Sequence, residues 1–110
     1  MNERVFAIID DNRSRSRLLR SDLEGRGHQV PDDLTTVSEE VAVRIIQSFR
    51  ARNVFALLLD GNLQPGEVNN AAGNRLLEQT RTDSPKTYII SVADTPLAKA
   101  DYSLDWSTYS

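Results

Sequence analysis

Asp10 and Asp11 close the first apolar run of the chain, Asp60 closes the second, and Ser91 lies near the end of the third. If the three runs are strands of one sheet, four oxygen-bearing side chains meet at its carboxyl edge. Three carboxylates gathered there repel one another. Relief comes from a raised pKa or from a bound cation. Oxygen donors without His or Cys suit Mg²⁺, Mn²⁺ or Ca²⁺ rather than zinc. One aspartate at a strand end is common, but an adjacent pair, a second strand-end aspartate and a strand-end hydroxyl form a much rarer set.

The runs themselves read VFAII at 5–9, VFALLL at 54–59 and YIISV at 88–92. They are continuous rather than alternating, the pattern of strands buried on both faces of a parallel sheet. Leu18, Leu19 and Leu23 share one side of a predicted helix over 14–25, ended by Gly25 or Gly27. Val41, Ile45, Ile46 and Phe49 do so over 38–52, with Ser38 as cap and Glu39 and Glu40 in the first turn. Leu76 and Leu77 mark a third helix over 71–81, with Asn70 as its cap. Gln29 and Val30 read as a very short strand, and 102–106 as a last one. Strand and helix alternate, so the expected fold class is α/β, a doubly wound parallel sheet. Ligands of such sheets bind outside the carboxyl ends of the strands, where the four residues fall.

Composition narrows the function. The chain has 110 residues, 39% hydrophobic and 26% charged, as expected of one domain spanning 1–110. A net charge of −3 argues against nucleic acid as the main partner. The absence of cysteine excludes disulfides, thiolate metal sites and cysteine catalysis. No signal peptide or membrane span is expected, and a cytoplasmic location fits. Arg13, Arg15, Arg17 and Arg20 form a stripe on the first helix, either a docking face or a solvated one. His28 is the single histidine, sits in a polar turn and carries no expected chemistry.

The segments IIDDN at 8–12, LLLDGNL at 57–63 and IIS at 89–91 resemble the receiver domains of bacterial response regulators, over residues 3–106. The resemblance implies a flavodoxin-like sheet of strand order 2-1-3-4-5. It implies that Asp60 is the phosphoacceptor and that Asp10 and Asp11 are the acidic pair holding Mg²⁺ (or Mn²⁺), Asp11 being the closer ligand. Asn62 would complete the metal shell through its backbone carbonyl. Ser91 would be the switch hydroxyl and Tyr102 the rotating aromatic. The implied partner is a histidine kinase or histidine phosphotransfer protein. The implied chemistry is phosphoacceptance, with no enzymatic turnover beyond the domain's own phosphorylation and dephosphorylation.

Three departures accompany the resemblance. The family's lysine, three residues after the aromatic, falls on Asp105, or on Trp106 with a one-residue slip. Only nine residues separate Ser91 from Asp101, so the fourth helix is short or missing, and the fifth is missing. One sheet flank is then uncovered, open to a second copy or a partner, or covered by Trp106 and Tyr109. The loop after Asp60, GNLQPGEVNNAAGN, is long and suggests mobility. These departures favour an alternative, a pseudo-receiver that binds proteins without phosphate. A third reading, a magnesium phosphatase with an aspartate nucleophile, lacks the second aspartate such hydrolases use, since Asn62 stands there.

Overall fold

The computed structural model describes residues 3–64 and 66–104. Five parallel strands form one sheet in the order β2-β1-β3-β4-β5. They are β1 (Val5–Ile9), β2 (Thr35–Thr36), β3 (Val54–Leu59), β4 (Tyr88–Ser91) and β5 (Tyr102–Ser103). The helices are α1 (Arg13–Gly25), α2 (Glu39–Gln47), α3 (Phe49–Arg52) and α4 (Ala71–Asp83), with a 3₁₀ turn over Asp32–Leu34. This is the expected doubly wound, flavodoxin-like architecture. No helix lies between β4 and β5, as the short connection predicted. Among the described residues, no helix is long and apolar enough to cross a membrane. Asp105, Trp106 and Tyr109, and with them the expected lysine position, lie outside the described residues.

The sheet separates two cores because side chains alternate across a strand. Ala7, Ile9, Leu57, Leu59 and Ile89 pack against Leu34, Ala42, Ile46, Phe49, Leu76 and Leu77. The opposite face sets Phe6, Ile8, Ala56, Leu58 and Val92 against Leu19 of α1. That second face is unevenly covered. Beyond α1, Tyr88 is 43% exposed and Tyr102 61%. Their rings continue a row that begins at Phe6 and Phe55, with neighbouring centroids 5.3–6.1 Å apart. Tyr88 and Tyr102 are the exposed members of this row, and Trp106 and Tyr109, the residues expected to cover the flank, lie outside the described residues.

Two elements differ from expectation. The second strand is Thr35–Thr36, not Gln29 and Val30. Gln29 makes one isolated bridge to Val5, and Val30 is a buried side chain of the second core. The predicted helix over 38–52 is broken at Ser48 into α2 and α3. There both the backbone N–H and the hydroxyl of Ser48 donate to the Ile45 carbonyl, at 2.9 and 2.6 Å. A Ser that bonds back to its own helix competes with the regular ladder. Asn53, left-handed at φ 53°, ends α3 and leads into β3.

Candidate phosphoacceptor pocket

The pocket is assembled by three chain reversals. β1 ends at Ile9, and Asn12 caps α1 by accepting the Arg15 N–H at 3.0 Å. The Asn12 N–H in turn donates to Asp10 Oδ1 at 2.9 Å. The Asp10–Asp11–Asn12 turn thus couples a strand end to a helix start. Asp60 continues β3, its N–H donating to the Ile9 carbonyl at 2.9 Å, so Asp10 and Asp60 leave neighbouring strands at one level. The chain after Asp60 is held by paired side chains rather than left loose. Asn62 Oδ1 accepts the Asn70 N–H at 3.0 Å, and Glu67 Oε1 accepts from Leu63 and Ala72 at 3.1 and 3.2 Å. Asn70 sits at the start of α4 but does not cap it. It is left-handed, and its amide donates to the Thr95 carbonyl at 2.8 Å, tying this loop to the one after β4.

Carboxylate oxygens of Asp10, Asp11 and Asp60 all lie within 4.8 Å of one another. Asp11 and Asp60 line a cavity of about 440 Å³, walled also by Asn12, Arg15, Asn62, Asn70 and residues 93–95, and Asp10 lies buried behind Arg15. Asp10 and Asp60 are buried, whereas Asp11 is exposed at the mouth. Burial pushes the Asp60 carboxyl up to about 7, assisted by the charge of Asp10 and a hydrogen bond with Asp11. The Gly61 N–H, donating to Asp60 Oδ1 at 2.8 Å, opposes this rise only in part. In kind, the donor set suits a hard divalent cation.

The same cup holds a positive group that the sequence reading left on the arginine stripe. Arg15 turns inward and is 7% exposed. Its Nε and Nη2 donate to Asp10 Oδ2 and Oδ1 at 2.5 and 2.8 Å, and Nη2 also lies 3.2 Å from Asp60 Oδ2. Helical side chains tilt toward the helix N-terminus, so an arginine in the first turn of α1 reaches back over its own strand end. That spacing, four residues after Asp11, was the available signal. The rest of the stripe divides. Arg20 pairs with Asp32 at 2.5 Å, while Arg13 and Arg17 line a groove between α1 and Thr35–Thr36.

Two expected site residues are not brought to the cup. Ser91 is buried, but its hydroxyl accepts the Leu97 N–H at 3.0 Å, and it does not line the cavity. It pairs with Leu59 rather than Asp60 and shares the face of Ile89. Tyr102 pairs with Ile90 and lies in the exposed aromatic row beside Tyr88. Asp10, Asp11 and Asp60 do converge, and Asn62 lines the cavity. Asp94 and Thr95 line the cavity without having been singled out as site residues, and Asn70, expected only as a helix cap, lines it too.

Neither a family model nor a curated protein matches the chain in sequence. Solved structures do match. A response regulator of Burkholderia pseudomallei, solved with a phosphorylated aspartic acid, calcium ion and citrate, superposes with a TM-score of 0.72 at 21% identity. The match covers 93% of this chain and 59% of that one, so the chain spans under two thirds of that protein's length. A CheY-like receiver domain from Methylobacillus flagellatus gives 0.71 at 19% identity, covering 96% and 87% of the two chains. The response regulator TrrA of Thermotoga maritima, in complex with Mg²⁺-BeF, gives 0.67 at 20% identity, covering 94% and 85%. TrrA in complex with the histidine kinase ThkA gives 0.64 at 19% identity, covering 94% and 84%. The fold is that of response-regulator receiver domains.

Proposed function

We propose that this chain is a receiver of two-component signalling whose Asp60 accepts a phosphoryl group. The observation that supports it most is the gathering of Asp10, Asp11 and Asp60 at the carboxyl edge of β1 and β3, within 4.8 Å of one another. The donor is a phosphohistidine of a histidine kinase or phosphotransfer protein, the kind of partner TrrA has in its complex with ThkA. The groove between α1 and Thr35–Thr36, with Arg13 and Arg17 on its wall, is the face on which this partner would dock. The reading includes a cytoplasmic location and no turnover of an external substrate.

In the transfer, a carboxylate oxygen of Asp60 bonds to phosphorus as the P–N bond to the donor imidazole breaks, the electron pair staying on nitrogen. Only the ionised carboxyl is a nucleophile, and a positive charge beside Asp60 favours that form against the burial that raises its pKa. Mg²⁺ or Mn²⁺, held by Asp10, Asp11, Asp60 and the Asn62 carbonyl, would supply charge neutralisation for the phosphoryl oxygens. This chain's own contribution is orientation. The Gly61 N–H fixes Asp60 Oδ1, and Asn70 and Thr95 wall the cavity.

The test is incubation with Mg²⁺ and acetyl phosphate, followed by intact-mass measurement of wild type and Asp60→Ala. One phosphoryl group added to wild type and absent from the variant is expected. No adduct in either, with beryllofluoride also failing to bind, refutes phosphoacceptance. A second reading, the phosphate-independent interaction module, is favoured by Arg15 in the cup and by the engaged Ser91 hydroxyl. In that reading a second copy or a partner covers the row Phe55, Tyr88, Tyr102.

A further inference from the structure

Part of the negative charge of the cup is offset from within the chain. Asp10 accepts three hydrogen bonds: Arg15 Nε at 2.5 Å, Arg15 Nη2 at 2.8 Å and the Asn12 N–H at 2.9 Å. Both of its oxygens are engaged. The guanidinium also reaches Asp60 at 3.2 Å, and so contacts two of the carboxylates that would hold a divalent ion. Arginine is suited to this. It is always charged, and its planar fork matches a carboxylate in two parallel bonds. The Asn12 cap fixes the first turn of α1 and so aims the side chain inward. On the solvent side, Arg15 Nη1 lies 3.6 Å from Asp94 Oδ1, a carboxylate 91% exposed. The guanidinium thus has a second acidic acceptor on its way out.

We propose that Arg15 is the resident cation of this cup and competes with a divalent ion for Asp10. The inference rests on the receiver reading above. With Arg15 in place, Asp10 is closed to the ion. The ion binds molecules in which the guanidinium has withdrawn toward Asp94. Apparent affinity is then lowered by the fraction of molecules in that open state. If the open state is about a tenth of the population or less, removing the guanidinium tightens binding tenfold or more, by the same relation.

The experiment titrates Mn²⁺ into wild type, Arg15→Met, Arg15→Lys and the double variant Arg15→Met with Asp11→Asn, read by calorimetry and by the resonance signal of free Mn²⁺. Circular dichroism and urea unfolding verify that each variant is folded. Expected is a tightening of about tenfold or more in Arg15→Met, an intermediate value in Arg15→Lys, whose single ammonium cannot form the fork, and loss of the gain in the double variant. If Arg15→Met does not fold, the Arg15→Lys tightening alone decides. Unchanged or weaker affinity in the folded Arg15 variants overturns the proposal, as does the absence of Mn²⁺ binding in all proteins. The receiver reading is judged apart from this, by whether acetyl phosphate leaves a phosphoryl group on Asp60.

Discussion

Replacing Gly73 by alanine tests how rigidly the helix and strand that frame the pocket are joined. Gly73 lies in the first turn of α4, and its N–H donates to the Gly61 carbonyl at 2.7 Å. A Cβ built there would stand 2.6 Å from the Asp60 carbonyl oxygen and 2.6 Å from Gly61 Cα. Both neighbours are backbone, so no side chain can swing aside. Ordinary contact begins at 3.4 Å, and the missing 0.8 Å (3.4 minus 2.6) must come from moving α4 off β3. Forced overpacking of this kind costs about 1–3 kcal/mol. Alanine's better helix propensity returns at most about 1 kcal/mol. The net expectation is a loss of about 1–2 kcal/mol, or a Tm lower by roughly 5 °C or more. Gly25→Ala, at the end of α1 with nothing within 4 Å, is the control and should be neutral or slightly stabilising. Urea and thermal unfolding of both read the difference. A Gly73→Ala protein as stable as Gly25→Ala would refute the argument, since the close approach would then yield at no cost.

Three further outcomes follow from the same geometry. Asp60→Asn, measured in chelator, should gain stability over wild type as pH rises. The folded wild type holds the Asp60 proton to about 7 and the unfolded chain releases it near 3.8, so wild-type stability falls across that window. The pH-dependent gain is at most about 4 kcal/mol, from 1.36 kcal/mol per unit; a flat difference between pH 4 and 7 would contradict the raised pKa. Phe49→Ala, emptying a fully buried site in the larger core, should cost about 3–5 kcal/mol in urea unfolding. Asn12→Ala removes the α1 cap and should cost about 1 kcal/mol, with broadened Arg15 Nε resonances as its aim is lost.

Much of this arrangement was legible in residue order. The runs at 5–9 and 54–59 are strands because a continuous apolar run fits a sheet covered on both sides, and each ends in the aspartate that enters the cup. Thr35–Thr36 was not legible, because two polar residues carry no period; Val30 drew attention by its apolar side chain, which serves the second core instead. Ser91 illustrates how finely faces are set. It pairs with Leu59, one residue short of Asp60, and in a strand one residue is the difference between opposite faces. In the sequence Arg15 belongs to an arginine stripe, because helical spacing alone does not say which arginine points home. That depends on the Asn12 cap and on Asp10 lying beneath the first turn.

The sheet tapers. Its middle strands are sandwiched between two cores, while β5 contributes two residues and carries Tyr102 on an open face. Local opening takes place where the fewest buried contacts resist it, and among the described residues Asp101, which bonds Ile89 and Arg81, pins the start of β5. The connection into that margin also carries Asp94 and Thr95, which wall the acidic cup, so whatever docks on or frays β5 acts on the loop that faces Arg15 and Asn70.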